Sequence, residues 1–190
     1  LLRVKRPNVL VIFMESFGSK FVKELGGLPD VAPGMSRLIP QSILWEHVYS
    51  NSFRTDRGTV STFSGWVSYP TASLIRLPEK LGNIPSLARS LSREGYHTCY
   101  LYGGDITFMN TQGYLVSTGY RQLVSDSDFS LAQINESKWG ANDSVTARRT
   151  FEMIASGEMP EPWHMTFQTL SSHEPFEVPY HRLEDKKLNV

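Results

Sequence analysis

The feature that most constrains this chain is residues 8–14, Asn-Val-Leu-Val-Ile-Phe-Met, followed directly by Glu15. An unbroken apolar run of strand length, rich in β-branched residues, predicts a strand buried on both faces, as in a parallel sheet covered by helices. A polar side chain directly after such a strand lies at its C-terminal edge, where open α/β sheets hold their ligands.

The same signature returns twice. Residues 97–102 (His-Thr-Cys-Tyr-Leu-Tyr) lead into Gly103-Gly104-Asp105, and residues 163–170 (Trp-His-Met-Thr-Phe-Gln-Thr-Leu) lead into Ser171-Ser172-His173. Between the strands, helices are predicted over 32–39 with Pro33 in the first turn, over 59–63, over 108–118, and from Asn142 or Asp143 to Ile154. The best helix signal covers 83–95, with Asn83 as its cap, Leu87 and Leu91 on one face and Gly95 at its end. Residues 42–49 have strand composition, 51–58 read as a polar loop, and 69–78 as a proline-punctuated connection. This alternation predicts an α/β fold, a three-layer α/β/α sandwich on a mainly parallel sheet.

Composition narrows the classes further. Hydrophobic residues make up 40% of the 190 positions, enough for a globular core. Nineteen basic residues balance nineteen acidic ones, so no nucleic-acid surface is expected. Cys99 is the single cysteine, which excludes an internal disulfide and a multi-cysteine zinc site. No apolar run approaches the roughly 18 residues of a membrane span. The chain starts without Met and stops in a charged stretch, and is expected to be a piece of a longer protein.

In a parallel sheet, Glu15, Asp105 and His173 converge on one edge, with the hydroxyl-rich residues 55–61 between them. Glu15 reads either as the ligand of a divalent cation, which would offset the cost of a buried carboxylate, or as the cap of a helix starting near Ser16. Thr55 beside Asp56 reads either as a reactive hydroxyl or as a turn former or helix N-cap. His173 reads as a ligand-facing or a plain loop histidine.

Residues 13–17 (Phe-Met-Glu-Ser-Phe), 139–143 (Trp-Gly-Ala-Asn-Asp) and 169–176 (Thr-Leu-Ser-Ser-His-Glu-Pro-Phe) resemble motifs of the lipoteichoic acid synthase-like phosphoglycerol transferases. Residues 53–58 (Phe-Arg-Thr-Asp-Arg-Gly) with Ser64-Gly65 resemble the nucleophile loop of the wider sulfatase-like group in the alkaline phosphatase superfamily. The resemblance spans the whole chain, as the N-terminal portion (1–190) of a single alkaline phosphatase-like catalytic domain whose C-terminal part is missing. It implies that Thr55 is the nucleophile and a metal ligand, with Glu15 a second ligand. It further implies that His173 and Asp105 meet the substrate, and that Arg57 or Arg54 contacts phosphate oxygens. The implied cofactor is a divalent metal, manganese first, with magnesium or zinc as alternatives. The implied substrate is a phospholipid head group or glycan at the membrane surface, on the extracytoplasmic face, with a membrane tether outside these residues.

Two departures from the family pattern stand out. The residues that hold glycerol phosphate are replaced near Met109 and Thr111. The family's further Asp-His pair and histidine lie beyond this stretch, so half a metal site and no activity in isolation are expected. The rival readings are a sulfatase and a non-catalytic binding domain. Dedicated sulfatases make formylglycine from Cys or Ser, and Thr55 is neither.

Overall fold

The structure is a computed structural model describing residues 4–177. Its centre is a four-stranded, fully parallel sheet built from β1 (Val9–Phe13), β2 (His97–Tyr102), β3 (Gln122–Val124) and β4 (Trp163–Gln168), in the order β1-β4-β2-β3. Seven α-helices connect them: α1 (Pro33–Leu38), α2 (Thr55–Ser64), α3 (Pro78–Leu81), α4 (Leu87–Arg93), α5 (Thr111–Thr118), α6 (Leu131–Ile134) and α7 (Asp143–Ala155). Parallel neighbours need crossover connections, and these helices supply them.

Each face of the sheet carries its own core. On one face Val60 and Phe63 of α2, Ala88 of α4, and Tyr114 and Leu115 of α5 pack with Tyr100 and Tyr120. On the other, Met153 of α7 packs with Cys99, Leu101, Val124, Met165 and Phe167. Alternate residues of β2 and β4 enter opposite cores, as the period of two demands. The α/β/α sandwich is therefore present, and the chain's neighbours among solved structures, described below, share it.

β4 is buried along its whole length because it lies between β1 and β2. Its polar residues face the tyrosine-rich core, where Tyr120 Oη and Thr166 Oγ1 are 2.8 Å apart and the Tyr100 hydroxyl donates to Gln168 Oε1. Burial of these four groups is tolerated because each finds a partner, whereas Nδ1 of His164 beside them has none.

Several expectations are corrected. β1 is not covered on both faces: Val11 and Phe13 pack against the tyrosine-rich core, whereas Leu10 and Ile12 are 39% and 55% exposed. The reason is its place at the edge of the described sheet, with no helix over its second face among the described residues. Residues 42–49 form no strand, and Trp45 and Tyr49 there are 71% and 84% exposed. The loop expected over 51–58 gives way at Thr55, where α2 begins. α4 starts at Leu87 and is capped by Ser86, whose Oγ accepts from Arg89 N at 3.2 Å, and not by Asn83. Its buried residue is Ala88, while Leu87 faces out. The helix expected over 108–118 is a 3₁₀ turn, Phe108–Asn110, joined to α5 through positive φ at Met109 and Asn110. Strand β3, only three residues long, lacked a readable signal.

Candidate functional site

The cavity at the C-terminal edge of the sheet holds about 310 Å³. Glu15 after β1, Tyr102 and Asp105 at the end of β2, and Gln168, Leu170 and His173 at the end of β4 all line it, together with Thr55. Parallel strands carry the residues that follow them to one side, so three distant stretches of chain meet there.

Thr55 is the first residue of α2, and Arg54 occupies the cap position without a side-chain bond to the helix. The threonine is thus not a cap. Its Oγ1 donates instead to Glu15 Oε1 at 2.9 Å, across 40 residues of sequence. α2 also brings the positive end of its dipole to the same wall, with the Arg57 amide taken up by Asp56 Oδ1 at 3.1 Å.

Glu15 caps no helix either; the 3₁₀ turn at Ser19–Phe21 is preceded by Gly18. The β1–β4 junction fixes it. Thr169 N donates to Phe13 O at 3.1 Å, and Glu15 N donates to Thr169 Oγ1 at 3.0 Å. The carboxylate accepts from Ser16 Oγ at 3.3 Å and from Gln168 Nε2 at 3.4 Å. Gln168 and Thr169 are functional neighbours that sequence reasoning missed. They continue an apolar run without a break, and only the register Phe13↔Gln168 reveals them.

Asp105 lines the cavity, but its Oδ1 accepts from Thr107 N at 2.7 Å and Thr107 Oγ1 at 2.6 Å, closing a local turn. His173 packs on Trp139 with ring centroids 4.5 Å apart, and Trp139 Nε1 donates to Glu174 O at 2.7 Å. Asp143 explains why this loop stands where it does. Its carboxylate accepts from Leu170 N at 2.7 Å and Ser171 N at 3.2 Å, and its own N donates to Ser171 Oγ at 2.9 Å. Gly140 has φ +126, and a Cβ there would collide with the Gly103 carbonyl, so glycine is required where the two loops abut.

Tyr102 borders the cavity with its phenol pushed up to about 12, by burial first and then by the carboxylates of Glu15 and Asp105. It stays a neutral donor across the physiological range. Arg57 is the one expected site residue that the structure does not bring to this cavity. With α2 starting at Thr55, a rotation of about 100° per residue turns Arg57 some ~200° away from it.

The Glu15 carboxylate and Thr55 hydroxyl form an oxygen pair of the kind a hard divalent cation takes. The donor set fits such an ion as part of a coordination shell. Among the described residues no cluster of three His, Cys, Asp or Glu side chains completes it. Among those residues, too, no helix is long and apolar enough to cross a membrane.

Comparison with known proteins gives consistent results. The model of the Sulfatase family matches residues 7–187. The lipoteichoic acid synthase-like protein YvgJ of Bacillus subtilis is 24% identical over 178 residues, covering 92% of this chain and 28% of its own length. Phosphoglycerol transferase I of Xanthomonas campestris is 26% identical over 183 residues, covering 90% and 26%. Among solved structures, an alkaline phosphatase superfamily protein from Vibrio parahaemolyticus superposes with a TM-score of 0.88 at 26% identity, covering 98% of this chain and 46% of that one. Lipoteichoic acid synthase LtaP from Listeria monocytogenes gives 0.79 at 17% identity, covering 92% and 43%. The chain spans about a quarter of the length of the curated relatives it matches.

Proposed function

The chain belongs to the Sulfatase family of the alkaline phosphatase superfamily, and from that premise we propose that it carries the nucleophile-bearing part of a metal-dependent phosphotransferase or phosphodiesterase. The observation that carries this reading is the 2.9 Å hydrogen bond from Thr55 Oγ1 to Glu15 Oε1 at the mouth of the strand-end cavity. A threonine alcohol aimed at a carboxylate, at a helix N-terminus, is placed to act on an anionic ester.

In this mechanism Thr55 Oγ1 attacks phosphorus. The new O–P bond forms as the bond to the leaving alcohol breaks, and an acceptor hydroxyl or water later takes the phosphoryl group and frees Thr55. Glu15 Oε1 receives the hydrogen bond that orients the attacking oxygen. Gln168 Nε2 holds the other carboxylate oxygen, and the first turn of α2 faces the phosphoryl oxygens. His173, braced by Trp139, and Asp105 border the space left for the substrate. A divalent cation held by Glu15 and Thr55 lowers the hydroxyl pKa and offsets phosphoryl charge when bound. Manganese is the proposed ion, with magnesium and zinc as alternatives.

The names of the relatives support a glycerol phosphate-type head group, on a phospholipid or glycan at the extracytoplasmic membrane surface. Formylglycine-based sulfate hydrolysis is disfavoured by the residue itself. Position 55 is a threonine, and Cys99 lies in β2 with its thiol pushed up to about 12, by burial first and then by Glu158. In the full-length protein, Thr55→Ala is expected to lower turnover of a phosphodiester by about 10³-fold or more with unchanged circular dichroism. Retained turnover in that variant sinks the assignment.

A further inference from the structure

Phe108, Met109 and Thr111 form a wall of the strand-end cavity that is built at a conformational cost. Met109 and Asn110 both lie in the left-handed region, with φ of 60° and 65°. Such backbone is unfavourable for any residue with a Cβ, and it persists only where the surroundings hold it. Here they do. Asn110 Nδ2 donates to the carbonyl of wholly buried Ile75 at 2.7 Å, and Arg76 donates a guanidinium N–H to Met109 Sδ. Thr111 Oγ1 donates to Phe108 O at 2.8 Å, and Gln112 N donates to Ile106 O at 2.7 Å. The tip is thus fixed before any ligand arrives, and held strain of this kind collects at ligand-binding walls.

What the tip presents is apolar. Phe108 is 58% exposed, Met109 stands beside it, and Tyr102, Trp139 and Leu170 line the same cavity. Arg54 is the single lysine or arginine among the described residues that line it, and it is paired with buried Asp56 at 3.3 Å. The reacting phosphate takes up that one cation, together with the N-terminus of α2. No cation is left for a second anionic group, and the Asp105 carboxylate, just ahead of the tip, repels one. The Thr111 hydroxyl is engaged with Phe108, so the end of β2 supplies the polar contacts: Tyr102 as a donor and Asp105 as an acceptor. Aromatic and thioether surfaces with one donor and one acceptor suit a ring that carries hydroxyls. Its face covers the apolar wall, and its edge meets the polar pair. An open-chain polyol has no such face and leaves the wall uncovered.

We propose that Phe108 and Met109, held in place by Asn110, are specificity-determining residues that select a sugar ring on the phosphate that Thr55 attacks. The choice of a phosphate ester rests on the phosphotransferase reading above; the wall rests on its own geometry. The substrate class is then a sugar phosphodiester, in place of the glycerol phosphate that the relatives' names favour.

The test titrates the full-length protein by calorimetry with glucose 1-phosphate, glycerol 3-phosphate and phenyl phosphate. Each carries the same phosphate group, so that group's contribution, with or without a bound cation, cancels in the ratio of affinities. Glucose 1-phosphate is expected to bind about ten-fold more tightly than glycerol 3-phosphate. Met109→Gly is expected to lower that ratio about five-fold and to melt close to the wild type, because glycine adopts the left-handed region freely. Asn110→Gly removes the anchor on Ile75 without removing any group that lines the cavity, and is expected to lower the ratio as well. Equal affinities for the sugar and glycerol esters, or a ratio that Met109→Gly leaves unchanged, overturn the proposal. A ratio that Asn110→Gly leaves unchanged overturns its positioning role. Phenyl phosphate binding more tightly than the sugar ester overturns the choice of sugar. These titrations need no turnover, so they decide the wall separately from Thr55→Ala, whose retained turnover sinks the nucleophile assignment alone.

Discussion

The two stretches of chain that build the sheet are covered differently. From β2 to β4, residues 97–168, the sheet is covered on both faces and the strands are almost wholly buried. From β1 to the start of α2, residues 9–54, Val22 is the single buried residue. Yet both regions contribute to the candidate site: Glu15 lies in the thin region with Thr55 directly after it, and Asp143 and Gln168 belong to the dense one with Thr169 directly after it. The dense region holds the frame, and the thin one leans its reactive groups on that frame through Thr169 and Gln168.

This contrast can be broken by substitution. Met165→Ala, in the middle of β4 and fully buried, is expected to cost about 2–5 kcal/mol of stability, read from chemical denaturation. Asp143→Asn removes the charge that collects the Leu170 and Ser171 amides and is expected to cost about 1.5–3 kcal/mol by the same measurement. Ile12→Ala, on the open face of β1, is expected to cost under about 1 kcal/mol in the 190-residue chain. Repeating that substitution in the full-length protein sharpens the contrast. A cost near that of Met165→Ala there means that another part of the protein covers β1.

The smallest effect concerns pH. His164, inside β4, has its pKa lowered below 6.5, chiefly by burial. The unfolded chain therefore binds a proton that the folded chain resists. Stability is expected to be complete above pH 6.5 and to decline as pH falls from 6.5 towards the lower folded value. Denaturation midpoints at pH 7.5 and 5.5, compared with those of His164→Gln, check the sign: the variant is expected to lose less on acidification.

How much of this was legible follows the same division. The three long strands announced themselves because apolar runs of strand length bounded by glycine and polar residues have few other uses. Their parallel arrangement then fixed that Glu15, Asp105 and His173 share one cavity. Residues 42–49 have the same kind of composition and form no strand, because Ile43, Trp45 and Val48 find no face to enter among the described residues. Arg57 was misplaced by a single helix boundary, since four residues of extra helix redirect every side chain in the turn. Gln168 was invisible for another reason. Its role comes from the strand beside it, and sequence order carries no trace of that neighbour.

Gln168 has one further consequence. A carboxamide has two unlike ends, and its oxygen is committed to the hydroxyl of Tyr100, which is wholly enclosed. The nitrogen end is thereby left facing Glu15, so that wall presents a donor and cannot swivel to present an acceptor. A phenol that no ligand can reach thus decides the polarity of a surface that ligands touch. Trimming only that hydroxyl, as in Tyr100→Phe, would leave every residue of the cavity in place while freeing one of them to turn round.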